Sequence, residues 1–480
     1  MKQFIYILIL LCGINSFAQD IIAKKGSFGI DKEHNIIVWH EKNLDSVIKA
    51  NSKISNVVFG ESFIVNDAVK PLSYSNAISI SNGENYVLYI SKIPLVHIKV
   101  DTSRINSNKK IPGYFSYFNT GQHIESVMGV RHRGNLSLSF AKKSFDLEFW
   151  TDSILKQKKD IKFNGMRKDD DWILDAMYNE PLRLRSYVST KLWSKIHKPY
   201  YAAKEPKAKS GFDVKFVEVF KNDKYYGVYQ LSESVDRKQL KLKKNVGNTI
   251  HGELFKANSY NGGPDFTKSP AQYKNIFPHW NGWKTEYPFI DYTSDFSGLS
   301  KFTSLVVNGT DEEFSKSIEN EVYIANVIDY YLFVNTVRAT DNLGKNYYLG
   351  KYDSGEPYVI IPWDLDGVMG IIQDGKRETV MTTIFGNGLF DRLLELNVNG
   401  YRNKVKNRWI TLRASAFSNE ALLSRVDKIY TKFTKNKVYE REQLVWKNKL
   451  NELSNDNHYQ YLYNWIIERL AVLDAHFKSL

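Results

Sequence analysis

Hydrophobic and polar positions follow different rules along different stretches of the chain. Between residue 19 and about residue 95, short β-branched and aromatic runs stand at 35–40 (NIIVWH), 56–65 (NVVFGESFIV) and 85–91 (NYVLYIS), separated by Asn, Asp, Gly and Ser clusters. Such runs bounded by turn residues predict strands, and hence a small β-rich module. It carries no clustered His or carboxylates, so its reading is structural or surface docking. From about residue 96 the pattern becomes mixed. VMGVR (127–131) and KSFDLEF (143–149) read as strands flanking the polar connection RGNLSLSFAK. Leu184, Tyr187, Val188, Leu192 and Ile196 share one face of a helix over 180–196. VKFVEVF (214–220) and YYGVYQL (225–231), joined by Lys221-Asn222-Asp223-Lys224, predict a hairpin. Residues 258–295 are rich in Asn, Gly, Pro and aromatics and read as a long irregular insertion.

Periodicity then sharpens. Ile324, Val327, Ile328, Tyr331 and Leu332 recur at helical spacing. They lead to Asp341, a polar loop, the strand runs NYYLG and YVIIP, and Trp363-Asp364-Leu365-Asp366-Gly367. Beyond about 385 the chain reads as mostly helical, and its last helix aligns Leu462, Trp465, Ile466, Leu470, Leu473 and Phe477 on one stripe. The fold class is α+β, in a domain over 96–480 preceded by the β-rich module 19–95.

Composition narrows the chemistry. With 42% hydrophobic residues and only 12 prolines among 480, a disordered or collagen-like chain is excluded. One cysteine, Cys12, excludes an internal disulfide framework, cysteine-ligated zinc clusters and iron–sulfur centres. It sits in an export signal: Lys2 supplies the basic start, FIYILILLCGI (4–14) the apolar core, and Ser16-Phe17-Ala18 the small residues of a cleavage site. Cleavage after Ala18 makes 1–18 a signal peptide and predicts an exported protein, periplasmic, cell-surface or secreted. The run is too short to span a membrane, which takes about 20 apolar residues. The net charge of +13 is spread along the chain rather than gathered in one arm or helix, which argues against nucleic acid as partner.

Three clusters could carry chemistry. The first is Asp341-Asn342-Leu343-Gly344-Lys345-Asn346, followed by Asp364 and Asp366. An acid with an Asn five positions on can hold a hydroxyl nucleophile and offer an amide oxygen to a metal, and a strand-terminal carboxylate can complete a magnesium site. This is the catalytic-loop spacing of protein kinases. The same residues also suit a capped turn, a strand start and an acidic turn. The second cluster is Arg131-His132-Arg133-Gly134-Asn135-Leu136-Ser137 with Lys142-Lys143, where a glycine turn and cations suit phosphate. The third, Lys168-Asp169-Asp170-Asp171-Trp172, reads most simply as acidic capping of a helix N-terminus.

In order, Arg133-Gly134-Asn135-Leu136-Ser137 with Lys142-Lys143-Ser144-Phe145, Asp171-Trp172-Ile173-Leu174 with Arg183, Gly227-Val228-Tyr229-Gln230-Leu231-Ser232-Glu233, Asp341 with Asn346-Tyr347-Tyr348, and Ile361-Pro362-Trp363-Asp364-Leu365-Asp366 resemble the spore-coat protein H (CotH) kinase family. The resemblance spans about 96–475. It implies a secreted, atypical, two-lobed protein-kinase-like domain that transfers phosphate from ATP to serine, or threonine, of extracellular or surface proteins. Under it Lys143, or its neighbour Lys142, holds the nucleotide phosphates with Arg133 and Asn135, and Asp341 orients the acceptor hydroxyl. Asn346 and Asp364, with Asp366 as a second candidate, ligate Mg²⁺ or Mn²⁺. Glu180 stands where an ion-pair partner for the lysine belongs, and Ser232 and Glu233 fall where backbone groups meet adenine. No His-Arg dipeptide precedes Asp341 and no glycine-rich loop is present, so transfer of AMP and a catalytically silent surface scaffold remain alternatives.

Overall fold

The computed structural model describes residues 19–50, 54–66, 71–260, 262–273, 276–289, 295–446 and 455–480. The signal segment 1–18 lies outside the described residues. The β-branched runs between residues 19 and 91 form one mixed seven-stranded sheet, in the order Gln19–Ile22, Ile54–Val58, Ser62–Val65, Ala77–Ser81, Asn85–Ser91, Ile36–His40, Phe28–Asp31. The run at 56–65 is two strands rather than one, because Gly60 at φ +81° turns the chain back.

The next element is a closed barrel. Its strands are Gln122–Arg133, Ser144–Trp150, Asp171–Asp175, Lys224–Ser232, Val214–Lys221, Leu95–Val100 and Ile111–Asn119, each hydrogen-bonded to the next. Closure depends on a parallel pairing of Val214–Lys221 with Leu95–Val100; the other barrel neighbours are antiparallel. The interior holds Phe115, Phe149, Phe163 and Trp172, with Phe163 edge-on to Trp172 at 4.6 Å. The predicted hairpin is present, with Asn222 and Asp223 both at positive φ, the backbone a two-residue hairpin turn demands. Residues 168–172 do not cap a helix. They form the short strand Lys168–Asp169 and the start of the barrel strand Asp171–Asp175, and the acids 169–171 pair with Lys110, Lys158, Lys238 and Arg167.

A second, five-stranded antiparallel sheet runs His279–Trp280, Trp283–Tyr287, Glu253–Ala257, Tyr347–Lys351, Tyr358–Pro362, so part of the insertion is ordered into strands. The helix Ile324–Val337, buried almost all round, packs against it and against the C-terminal helices. The last helix, Asn455–Ser479, buries the predicted stripe from Leu462 to Phe477. No described helix is long and apolar enough to cross a membrane.

The helix Val438–Val445 lies on the barrel strand Lys224–Ser232, and Gly227 is the contact point. Gly227 has φ +94°, and a Cβ there would stand 2.0 Å from Glu442 Oε1. Gly227→Ala therefore combines left-handed backbone strain with a clash against a buried carboxylate, and should cost about 2–4 kcal/mol. Gly60→Ala shares the positive φ but meets nothing within 4 Å, and should cost only about 1–2 kcal/mol. Urea midpoints of the two variants check the difference.

Candidate active site

A cavity of about 470 Å³ opens between the barrel and the second sheet. From the barrel side come the 133–142 connection and the end of strand Asp171–Asp175; from the sheet side come Lys256, the Asp341–Asn346 loop and Trp363–Asp366. The connection turns at Gly134, at φ +127°, where a Cβ would collide with Ser137 Oγ at 1.8 Å. Only glycine lets the loop fold this tightly over the cavity.

Asp341 sits in the 3-10 turn Thr340–Leu343, just after the helix Ile324–Val337 ends on the left-handed Arg338. Its carboxylate pairs with Lys345 at 2.8 Å and accepts from the Asn346 amide at 3.4 Å. That contact uses the Asn346 amide hydrogens and leaves the amide oxygen as its free donor atom. Asn346 and Asp364 both hold left-handed backbone, at φ 58° and 56°. Such conformations persist only where the surroundings over-determine them. Here the brace is the buried Asn342, whose amide donates to Asn346 O at 2.5 Å and to Trp363 O at 2.8 Å. Trp363 N–H donates to Asn346 O at 3.0 Å, and Tyr330 OH to Asn342 O at 2.7 Å. From the insertion, Tyr260 OH donates to the carbonyls of Thr340 and Asp341.

Asp364 and Asp366 both line the cavity, and facing them is a carboxylate not expected from sequence, Asp175. Asp175 is half-buried, and accepts from Ser144 Oγ at 3.2 Å and Met177 N at 3.1 Å. Burial, with Asp364 adding to it, raises its carboxyl above the usual range. Burial among Asp364, Asp175 and Asp341 pushes Asp366 well up. Its signal was readable: like Asp364, Asp175 ends an apolar strand run (WILD). Among the described residues, acidic groups that converge within coordination distance are Glu148, Asp170, Asp171 and Asp160, Asp169, Asp170 on the barrel flank, where lysines already neutralise them. No three of the cavity acids converge in this way among the described residues, and no cation is paired to Asp175, Asp364 or Asp366 among them. An ion of the Mg²⁺ kind takes only one or two carboxylates and fills its other positions with water and phosphate oxygens.

The cations divide unexpectedly. Lys142, not Lys143, lies at the cavity wall: its ammonium is fully buried and donates to Glu442 Oε1 at 2.8 Å and Val228 O at 2.6 Å. Lys143 turns the other way, to the carbonyls of Leu138 and Phe140, and knits the connection together. The partner of Lys142 is likewise Glu442, on the helix Val438–Val445, and not Glu180. Glu180 caps the helix Arg185–Ile196 through Leu184 N and Arg185. Burial pulls Lys142 down to about 8, against the opposing charge of Glu442. Burial alone would raise Glu442, but Lys142 and Arg183 outweigh it and hold its carboxyl below the usual range. Arg133 lines the cavity with its guanidinium 5.3 Å over the Trp363 ring, and Asn135 lines it beside Gly134. Arg131 reaches it while paired to Asp146 at 2.8 Å. Lys256, missed in the sequence, lines it too, its pKa lowered by burial while Asp364 opposes.

Glu233 stands apart from this cavity, and Ser232 reaches only its edge. Glu233 is fully buried, and its carboxylate accepts from Lys209, Arg167 N and Asp213 N at 2.8–2.9 Å, while its own N–H donates to Asp213 O. Ser232 borders a hollow of about 20 Å³ that shares Arg133, Asp175, Trp363 and Asp364 with the cavity. No backbone group of Glu233 is thus open to a nucleotide on this side.

A family model described as CotH kinase protein matches residues 130–473, more than half of the chain. The chain belongs to the CotH kinase family. No curated protein matches the chain.

The buried pair gives a test. Glu442→Ala strands Lys142 and Arg183 without a counter-charge, and should cost about 3–5 kcal/mol, whereas Lys143→Ala should cost about 1 kcal/mol. Because the folded carboxyl of Glu442 is held low, its stabilisation is complete above the unfolded value near ~4.3 and is lost as pH falls through the folded one. Melting temperatures of wild type and Glu442→Ala should therefore converge on acidification below about pH 4.

Proposed function

We propose that this kinase-like protein transfers the γ-phosphoryl group of ATP to serine, and to threonine, hydroxyls of proteins outside the cytoplasm. The barrel serves as one lobe, and the second sheet with the C-terminal helices as the other. The observation that carries this reading is the convergence of Asp341, Asn346, Asp364 and Asp366 on one cavity with Arg133, Lys142 and Lys256. Asp341 is the acceptor's orienting base: its carboxylate can take the hydroxyl proton, and the Lys345 ammonium holds it at 2.8 Å in the resting protein. Arg133 and Lys256 line the cavity without an ion-pair partner among the described residues, so they are the cations for the phosphate oxygens. Lys142, held on both sides by Glu442 and Val228, contributes its charge from behind the wall. Mg²⁺ or Mn²⁺, held by Asn346, Asp364 and Asp366, would screen the triphosphate and polarise the transferred group. Residues 1–18 direct export and are removed in the course of it.

The competing reading, a silent scaffold, is favoured by one observation: the lysine ammonium has no face left for a phosphate. Two measurements separate them. ATP with Mg²⁺ should raise the melting temperature by mass action, and Asp364→Ala should abolish that shift. Incubation with ATP, Mg²⁺ or Mn²⁺ and serine-rich acceptor proteins should add the mass of one phosphoryl group, and Asp341→Ala should slow the transfer about 10²–10⁴-fold. An added adenylyl mass would replace phosphate by AMP transfer. Equal product from Asp341→Ala would overturn the enzymatic assignment.

A further inference from the structure

The cavity lining is not polar throughout. Leu136 and Phe140 come from the connection that folds over it, and Ala176, Met177 and Tyr178 from the segment after Asp175. Trp363 lines it too, but the Arg133 guanidinium lies over its ring. The rings of Phe140 and Tyr178 meet at 5.7 Å, tilted by 40°, and both are half-buried. Tyr178 is held in place by its surroundings. Trp446 stands edge-on to it at 6.1 Å, and the Arg183 guanidinium is 6.0 Å from its centroid. Arg183, 2% exposed, also donates to the carbonyls of Met177 at 2.7 Å, Tyr178 at 3.0 Å and Glu180 at 2.5 Å. One buried side chain therefore fixes the backbone that presents Tyr178.

The next residue adds polarity with a defined sense. Asn179 is 4% exposed, lines the cavity, and donates its amide hydrogen to Gln373 O at 2.8 Å. A carbonyl can only accept, so this contact settles which end of the carboxamide is oxygen. Asn179 Oδ1 accepts from no donor among the described residues. An aromatic platform beside a fixed acceptor suits a flat heterocycle that carries an exocyclic amine. The end of the strand Lys224–Ser232 offers no such place, because the Glu233 N–H is spent on Asp213 O. We propose that Tyr178 and Phe140 form the subsite for the purine base of the nucleotide, with adenine selected by its amino group donating to Asn179 Oδ1. Guanine carries a carbonyl oxygen at that position, which a fixed acceptor repels. The subsite rests on the phosphotransfer reading and adds to it the base that is chosen and the place where it lies.

Calorimetric titration of the full chain with ATP, GTP and inorganic tripolyphosphate, each with Mg²⁺, tests the subsite. ATP should bind about 10-fold or more tighter than tripolyphosphate, the gain expected of one stacked base. It should also bind about 10-fold tighter than GTP, which sets its own oxygen against the Asn179 acceptor. Tyr178→Ala should bring the ratio of ATP to tripolyphosphate affinity down toward one, and Asn179→Ala should do the same to the ratio of ATP to GTP. If Tyr178→Ala does not fold, Phe140→Ala should lower the first ratio at least about threefold. Equal affinity of the wild type for ATP and tripolyphosphate, or ratios unchanged in these variants, overturns the subsite and leaves the phosphotransfer reading standing. A first ratio that falls in Phe212→Ala and not in Tyr178→Ala puts the base beside Ser232 and also overturns it. Failure of all three ligands to bind the wild type overturns the phosphotransfer reading, and the subsite with it.

Discussion

The arrangement around the cavity depends on three consecutive charged residues of one short helix. Glu440 accepts from Tyr89 OH of the N-terminal sheet at 3.0 Å. Arg441, fully buried, grips Glu218 of the barrel and Ser91 of the same N-terminal sheet. Glu442 takes Lys142, Arg183 and Val228 N–H. Each ion pair by itself adds little net stability, since desolvation offsets most of the Coulomb gain. Their combined effect is selective: with both partners buried, every alternative packing leaves a naked charge, at several kcal/mol apiece. The helix thereby fixes sheet, barrel and cavity lysine in one geometry.

The opposite wall is built on different physics. Asn346 and Asp364 stand on strained backbone, and a neutral amide, Asn342, holds both. Clamping the ends of two strands from one buried side chain keeps the acids in register without placing a charge among them. Tyr260 on one flank and Arg338 on the other complete the hold on the Asp341 turn. The acids stand on turns anchored to the ends of rigid strands, which holds them in place for a ligand.

How much of this could be read from sequence follows the distance over which each decision is made. The hairpin at 214–232, the stripe of the last helix and the acidic loop were legible, because turn chemistry, helical periodicity and strand ends are local. Lys142 and Lys143 were not separable: they precede the strand Ser144–Trp150, so the conformation of the connection, not strand alternation, decides which enters the wall. The three acids at 169–171 drew attention from Asp175, which ends the same strand. Glu180 looked like the lysine's partner by position, yet its carboxylate is consumed by a helix start. Ser232 and Glu233 kept their expected place at the end of a barrel strand, but a neighbouring loop claims the hydrogen-bonding groups of Glu233. No local pattern could announce Glu442.

Lys142 and Glu442 are 300 residues apart. At about 5–20 residues per second of synthesis, that separation leaves the lysine without its counter-charge for about 15–60 s. During that time the barrel can close and fill its interior, because its strands end at Ser232, but its wall must still admit water around an ammonium. The wall behind Lys142 therefore closes only when the helix Val438–Val445 arrives with Glu442.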